Sequence, residues 1–387
     1  MMTTDLSQLV FRPVKLLDLD DICDLAGMAQ AGMTTLPTSR RALEKKIMAS
    51  EQSFLKRSFY TKGNYYLFVL EDLSCRKVVG LAAMISSVGV QKTFLSFEQK
   101  QLQSFSSQLG VKTHNDFLHL HHTRDGDTEL LTLFLHPDYR QRGIGRFLSL
   151  SRFLFIRQHP LRFKKRVFAE IRGHIDDVGV SPFYDAFVKP YLKIPFKQAD
   201  VLSQLDNQFI SDLLPHFPLS LQHVSQSVLD CIQKPHRLSQ RALQLLYKEG
   251  FKLSKHIDVL DAGPKIVAQV KDIRVYAMIR SQNHFNVVDH LKEHSLHLVS
   301  AGTLANFRVC CTEVDDTETL KVLQTPALDQ CLDKGYQLQW ARLYAKSRRR
   351  QRYTHLVSKR MKGVDSPFMK HFSTWYQRAP QHIYSDD

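Results

Sequence analysis

Residues 136–155 read "HPDYRQRGIGRFLSLSRFLF", which sets Arg140, Gly143 and Gly145 at the spacing R-x-x-G-x-G before an apolar helical run. A helix N-terminus presents unpaired N–H groups and a positive partial charge, and glycines let a phosphate approach both. The chemistry on offer is binding of a phosphorylated ligand, although the same residues also suit a plain strand-to-helix turn. No Gly-Lys-Ser/Thr follows, so this is not a Walker loop. The third glycine of a dinucleotide fingerprint would fall at Leu148, and no acidic residue ends a following parallel strand. A second group, "HLHHT", holds His119, His121 and His122. Without an acidic or thiol partner at ligand spacing it reads as a polar loop, and no metal site is expected.

The elements that must position the glycine stretch can be read on either side of it. "TELLTLFLHP" is a near-continuous apolar strand stopped by Pro137, of the kind buried on both faces. Upstream, Leu9–Pro13 reads as a strand, followed by a helix with Ile22, Leu25, Ala26 and Met28 on one side. Thr38 or Ser39 caps a second helix. "NYYLFVLED" and "KVVGLAAMISSVG", separated by "LSCRK", read as a hairpin. Downstream come the strand "KRVFAEIRG", short helical pieces with Pro-containing turns over 175–235, a helix stopped by Gly250, and the strand "FKLSKHIDVLDAGP". Strands "LHLVSAG", "NFRVCCTEV" and "YQLQWARLY" follow. This order predicts an α+β fold on a mixed, mostly antiparallel sheet. The expected division is 9–264 with an insertion at 175–235, a smaller β-rich unit over 265–346, and a basic extension over 347–387.

Of 387 residues, 43% are hydrophobic, ample for a packed core, and the formal net charge is +15. Residues 347–387 carry nine Lys/Arg against three Asp. Their arginines read as a solvated face and not as an RNA-binding signature. Phe368, Phe372, Trp375 and Tyr376 recur there at helix-like steps, which suggests a docking helix. Six scattered cysteines without a C-x-x-C pair read as reduced thiols of a cytoplasmic protein. No apolar run reaches the about 18 residues that a membrane span needs, and no signal core follows the first residues.

A strand ending in "TLFLHPDYR", the R-x-x-G-x-G spacing and the apolar helix resemble the acyl-CoA pyrophosphate loop of the GNAT superfamily of N-acyltransferases. "ALQLLYKEGF" before a strand resembles that superfamily's next signature. The blocks "FRPV", "TTLP", "FVLED", "ELLTLFLHPDYR", "AEIRG", "SPFYDAF", "KEGF" and "IDVLDAGP" occur in the order and spacing of the arginine N-succinyltransferase family, over roughly residues 9–345. One departure is Asp261-Ala262-Gly263-Pro264, where members of that family have "DGGP".

The resemblance implies transfer of succinyl from succinyl-CoA to the α-amino group of L-arginine, the opening step of arginine degradation. It implies succinyl-CoA as co-substrate with no permanently bound cofactor, and a homo-oligomer or a pairing with a sister subunit. Acylation of an amine needs a pocket for the CoA phosphates, a polarised thioester carbonyl, a neutral amine and a proton for the leaving thiolate. Arg140, Gln141, Gly143 and Gly145 would bind CoA. A backbone N–H near Leu133 and Phe134 would polarise the carbonyl, and Leu133 matches a succinyl-CoA contact of the family. His236, in "KPHRLSQ", matches the family's proton donor. Many superfamily members place a Tyr four residues before the Gly of "GF"; here that residue is Leu246, with Tyr247 about 100° around the helix. For the acceptor's guanidinium the candidates are Glu170, Asp176 and Asp177, and Arg172 would take its carboxylate. The base that frees the amine is not legible; a water relay to a carboxylate is the default. Succinylation of ornithine or another basic amine, and nucleic-acid binding on a GNAT scaffold, are the competing readings.

Overall fold

In the computed structural model the branched and aromatic runs form strands and the amphipathic runs form helices. Residues 5–29, 33, 35–141, 143–176, 178–291, 295–316, 319–332 and 338–344 are described, except for the side chains of 204 and 205. The chain divides into two units, Met1–Leu343 and Tyr344–Asp387, and the described strands and helices all lie in the first. The basic extension, with its expected docking helix, lies outside the described residues, as does Asp177.

The first half runs β1 (Leu9–Pro13), α1 (Leu19–Met28), α2 (Arg40–Leu55), β2 (Tyr65–Asp72), β3 (Lys77–Ile85), β4 (Phe94–Ser106), β5 (Val111–Thr123), β6 (Thr128–Leu135), α3 (Ile144–Gln158) and β7 (Arg166–Glu170). The insertion holds α4 (Pro182–Phe187), α5 (Lys189–Leu192), α6 (Phe196–Leu205), α7 (Gln208–Leu213), β8 (Leu219–Ser220) and α8 (Gln226–Leu229). Then come α9 (Gln240–Lys248), β9 (Lys252–Ile257), β10 (Pro264–Gln269), α10 (Arg274–Ala277), β11 (Arg280–Gln282), β12 (Asn286–Val288) and β13 (Leu296–Ala301). The last elements are β14 (Arg308–Asp315), β15 (Lys321–Leu323), α11 (Pro326–Cys331) and β16 (Leu338–Arg342).

One sheet carries the order β11-β16-β13-β14-β1-β2-β3-β6-β7-β10-β9-β4-β5-β8. Its neighbours are antiparallel except for β6 and β7, which run parallel. β10 lies between β7 and β9, and β14 lies beside β1, so strands from both ends of the chain share the sheet.

Alternate residues of the central strands serve two cores. Tyr66, Phe68, Leu70, Ala82 and Met84 pack with α3, which is buried nearly all round from Phe147 to Ile156. Phe155 sits at the centre of this layer against Phe54, Tyr66, Phe68 and Phe307. Leu67, Val69, Leu81, Ala83 and Phe134 pack with Leu19, Ile22, Leu25, Leu43 and Ile47 of α1 and α2. Met28, expected on the buried side of α1, is 44% exposed.

"HLHHT" is not a loop. It ends β5, whose thirteen residues pair along their length with β4 in a long hairpin. The expectation failed because only Leu118 and Leu120 mark the buried face at this inner end of the strand, and the histidines that alternate with them hide the strand pattern.

Candidate active site

β6 and β7 hold the key geometry. Their parallel pairing stops at Thr128–Val167 and Glu129–Phe168, after which the strands part. On its other edge β6 pairs with β3, but the register shifts between Leu81–Phe134 and Ala83–Leu131, so that Ala82 faces both Thr132 and Leu133. This is a β-bulge, a device that re-aims a strand beside functional sites. At the bulge Thr132 has φ of +49° and is buried, a left-handed backbone that costs a β-branched residue about 1–3 kcal/mol. Leu133 follows directly, its side chain packed on the core, while Phe134 is buried against the α1–α2 layer.

The loop after β6 is pinned at several points. The His136 N–H donates to the Val79 carbonyl (2.8 Å), and the Tyr139 hydroxyl donates to Asp72 Oδ2 (2.8 Å). Arg140 Nε donates to the Leu135 carbonyl (3.1 Å), with its guanidinium 5.6 Å from the Phe134 ring centre. Gln141 Nε2 donates to the Asp138 carbonyl (3.3 Å). Gly143 is the N-cap of α3 with φ of +92°, which favours glycine, and a Cβ on Gly145 would meet nothing within 4 Å. The first turn of α3 therefore presents bare backbone. Arg146, one residue on, is held by the fully buried Glu249 (2.5 Å), which also binds Arg274 and the Val275 N–H. This ties the start of α3 to the end of α9.

β7 ends at the same edge of the sheet as β6, because the two are parallel. Beyond it Gly173 bridges to Pro235, and the His236 N–H donates to the Arg172 carbonyl (2.8 Å). The chain 171–173 also runs close to 261–263. A Cβ on Gly173 would lie 2.2 Å from the Asp261 carbonyl oxygen, and one on Gly263 would lie 2.1 Å from that of Ile171. His236 is half-buried, and its Nδ1 accepts the Leu238 N–H (3.3 Å), which leaves Nε2 as the nitrogen carrying hydrogen in the neutral ring.

Arg172 Nη1 pairs with Asp200 (2.7 Å) and Asp261 (3.2 Å), and the guanidinium lies 5.2 Å from the Phe196 ring centre. Burial pulls its pKa down, but Asp261 and Asp200 outweigh that and raise it, so it stays charged. Its Nε and Nη2 are buried with no hydrogen-bond partner. These two atoms form the side-on fork that matches a carboxylate. Glu170 Oε1 is likewise buried and unpartnered, and burial pushes this carboxyl well above its usual range.

Three residues not singled out in the sequence complete the cluster. Lys265 is the cross-strand partner of Glu170, and its ammonium rests 3.8 Å and 4.5 Å from the ring centres of Phe168 and Phe94. Glu129 pairs in register with Phe168; burial drives its carboxyl up to about 7 against the pull of Lys265 and Lys46. Burial and then Asp261 raise Asp258 to about 7 as well. The available signal was a glutamate inside the apolar run "TELLTLFL".

Not every expected residue joins this cluster. Asp176 is exposed, and its Oδ1 accepts the N–H groups of Val178 and Val180 in a local turn. Leu246 is core, and the Tyr247 hydroxyl is buried without a hydrogen-bond partner, its pKa pushed to about 12 by that burial. His121 lies against His256 and His122 against His216. Among the described residues no group of three or more His, Cys, Asp or Glu is arranged to hold a metal ion.

Known proteins resemble this chain over most of its length. The profile of the family described as "Arginine N-succinyltransferase beta subunit" matches residues 9–275. The beta subunit of arginine N-succinyltransferase from Pseudomonas aeruginosa is 36% identical over 277 residues, 71% of this chain and 80% of that protein. The alpha subunit from the same organism is 31% identical over 308 residues, 79% of this chain and 91% of that protein. The solved structure of subunit AI of the arginine/ornithine succinyltransferase of Pseudomonas aeruginosa matches with a TM-score of 0.80 at 28% identity, covering 87% of this chain and 99% of that one. With an α+β GNAT fold on a mostly antiparallel sheet and relatives that span most of its length, this acyltransferase belongs to the arginine N-succinyltransferase family.

Proposed function

We propose that this chain transfers the succinyl group of succinyl-CoA to the α-amino group of L-arginine, giving N2-succinyl-L-arginine and CoA. The observation that carries the reading is the Nε–Nη2 edge of Arg172, buried and unpartnered at the end of the splayed β6–β7 pair. It suits the carboxylate of an amino acid, while Glu170 and its neighbouring carboxyls suit a guanidinium. In this proposal Asp176 shapes its turn and does not touch substrate. Residues 9–264, with 175–235 inserted, are read as the transferase part, with β10, β13, β14 and β16 completing the same sheet.

Arg140, Gln141 and the N–H groups of the Gly143–Gly145 turn receive the CoA phosphates. Arginine arrives as an ammonium and gives up one proton, through water, to the Glu129 carboxylate, whose raised pKa makes it a competent acceptor near neutrality. The neutral nitrogen attacks the thioester carbon. The oxyanion that forms is held by the Leu133 N–H beside Phe134, worth about 10²–10³ in rate for such a donor. Collapse breaks the C–S bond, the thiolate takes a proton from His236 Nε2, and the second proton of the attacking nitrogen passes through water to the imidazole, which restores it. Transfer to the thiolate is easiest from the imidazolium, which forms at the expense of the long Leu238 N–H contact.

The Pseudomonas enzyme of known structure is named for ornithine as well as arginine, which makes ornithine the second acceptor to test. Relatives named as alpha and beta subunits, each similar to this chain, support a partnership with a sister subunit or a second copy. No helix among the described residues is long and apolar enough to cross a membrane, and we place the reaction in the cytoplasm with its CoA substrate. Thiol release from succinyl-CoA in the presence of arginine, ornithine or lysine tests the proposal. Release with none of the three would refute it.

A further inference from the structure

Arg152 is a charge in an unusual place. It lies in the fully buried stretch of α3 and is 1% exposed. Its Nη1 donates to the carbonyls of Ala83 (3.3 Å) and Leu131 (3.5 Å), its Nε to the Ser149 carbonyl (3.1 Å), and its Nη2 to Ser149 Oγ (3.0 Å). Among the described residues no carboxylate pairs with it, and burial alone pulls its pKa down to about 9. An uncompensated buried guanidinium is costly, and an apolar side chain of similar length would be expected to pack at least as well. Its partners suggest what offsets the cost. Ala83 and Leu131 form the last regular rung before the bulge, and Leu131 precedes the left-handed Thr132. A guanidinium has five donors in one plane, enough to hold carbonyls on two strands and the helix together.

We propose that Arg152 is a positioning residue for acyl transfer: it clamps the carbonyls of Ala83 and Leu131 from behind, holds the β6 bulge in place, and thereby sets where the Leu133 N–H meets the thioester carbonyl. This rests on the acyl-CoA reading above and assigns that site a support it otherwise lacks. The clamp acts on the carbonyl position and not on the pyrophosphate loop. Loss of Arg152 therefore lowers kcat and the preference for succinyl-CoA over CoA, while CoA itself still binds.

The test compares Arg152→Met and Arg152→Lys with the parent in the full chain. Turnover is read by thiol release, affinities for CoA and succinyl-CoA by calorimetry without acceptor, and folding by circular dichroism. Arg152→Met should lose about 10²-fold in kcat, the usual cost of a 1 Å misplacement, with the Kd for CoA within about threefold of the parent and the succinyl-CoA preference reduced. Arg152→Lys keeps the charge but cannot span all four acceptors, and should lose about tenfold. If the Met variant does not fold, the Lys variant decides alone. A Lys variant with kcat within about threefold of the parent overturns the clamp, and so does a loss of CoA affinity matching the loss of kcat. A parent that binds succinyl-CoA and CoA but transfers to no acceptor refutes only the acceptor assignment, and the affinity ratio then still judges the clamp. A parent that binds neither overturns both.

Discussion

Adding one methyl group at Gly173 should disable the acceptor side of the site while sparing the CoA side. The Cβ of a Gly173→Ala variant would lie 2.2 Å from the Asp261 carbonyl oxygen, 2.6 Å from Asp261 Oδ1 and 2.7 Å from the Gly263 nitrogen. Ordinary contact begins near 3.4 Å, so the two segments must separate by about 1 Å. Two of the three obstacles are backbone and cannot swing aside. The displacement passes to the Arg172–Asp261 pair (3.2 Å), to the bridge with Pro235, and to the 2.8 Å bond from the His236 N–H to Arg172. Overpacking of this kind costs about 1–3 kcal/mol of stability. A 1 Å shift of the groups that orient substrate costs about 10²-fold in kcat/KM, or roughly 2.7 kcal/mol of barrier. The assay is thiol release at saturating succinyl-CoA with arginine varied, beside calorimetric titration with CoA. CoA affinity should be unchanged, because Arg140–Gly145 stands on β6 and α3. A variant with kcat/KM for arginine within about threefold of the parent would show that Arg172 and His236 do not work from that junction.

His236→Ala should cut turnover by roughly 10²–10⁴ with little change in acyl-CoA affinity; a rate within about threefold of the parent would remove His236 as donor. Gly143→Asp puts a carboxylate at the helix N-terminus and a side chain on a φ of +92°, so CoA binding should vanish by calorimetry while circular dichroism still reports a folded chain. Retained CoA binding would detach the loop from the ligand. Burial raises the Glu129 carboxyl from 4.5 to about 7, so in the folded chain it holds its proton below neutrality and gives it up above. Its stabilising contribution is full below pH about 4.5 and is lost as pH rises through about 7. Glu129→Gln should therefore melt higher than the parent at pH about 8 and no higher at pH about 4, and should lose the rise of kcat/KM through neutrality. A parent profile flat across that range would rule Glu129 out as proton acceptor.

Much of the scaffold was legible because it obeys local rules. β1, the β2–β3 hairpin, β6, α3 and the Gly250 stop show the alternation, periodicity or terminator that sequence patterns carry. The bulge at Thr132 was invisible, because an unbroken apolar run looks the same with or without a register shift. The Glu129–Lys265–Glu170 group was hidden for a different reason: parallel pairing of β6 with β7 and antiparallel pairing of β7 with β10 bring distant residues together. Arg172 and His236 could be singled out only through family resemblance, since the contact between them depends on how close Gly173 and Gly263 allow two loops to run. Arg152 does leave a local trace, as a permanent charge amid "LSLSRFLFI".

The pairing of β1 with β14 also bears on how the chain reaches this state. Val10 meets Cys310 and Phe11 meets Val309, partners about three hundred residues apart in sequence. During synthesis β1 can join β2 early, yet its other edge stays open until nearly the whole chain has emerged. Closing so long a loop makes this a late and slow step, and the open edge, bearing Leu9, Val10 and Phe11, is prone to association until then. Refolding should accordingly depend strongly on protein concentration, with chaperone demand concentrated on β1, which is made about three hundred residues before its partner strand.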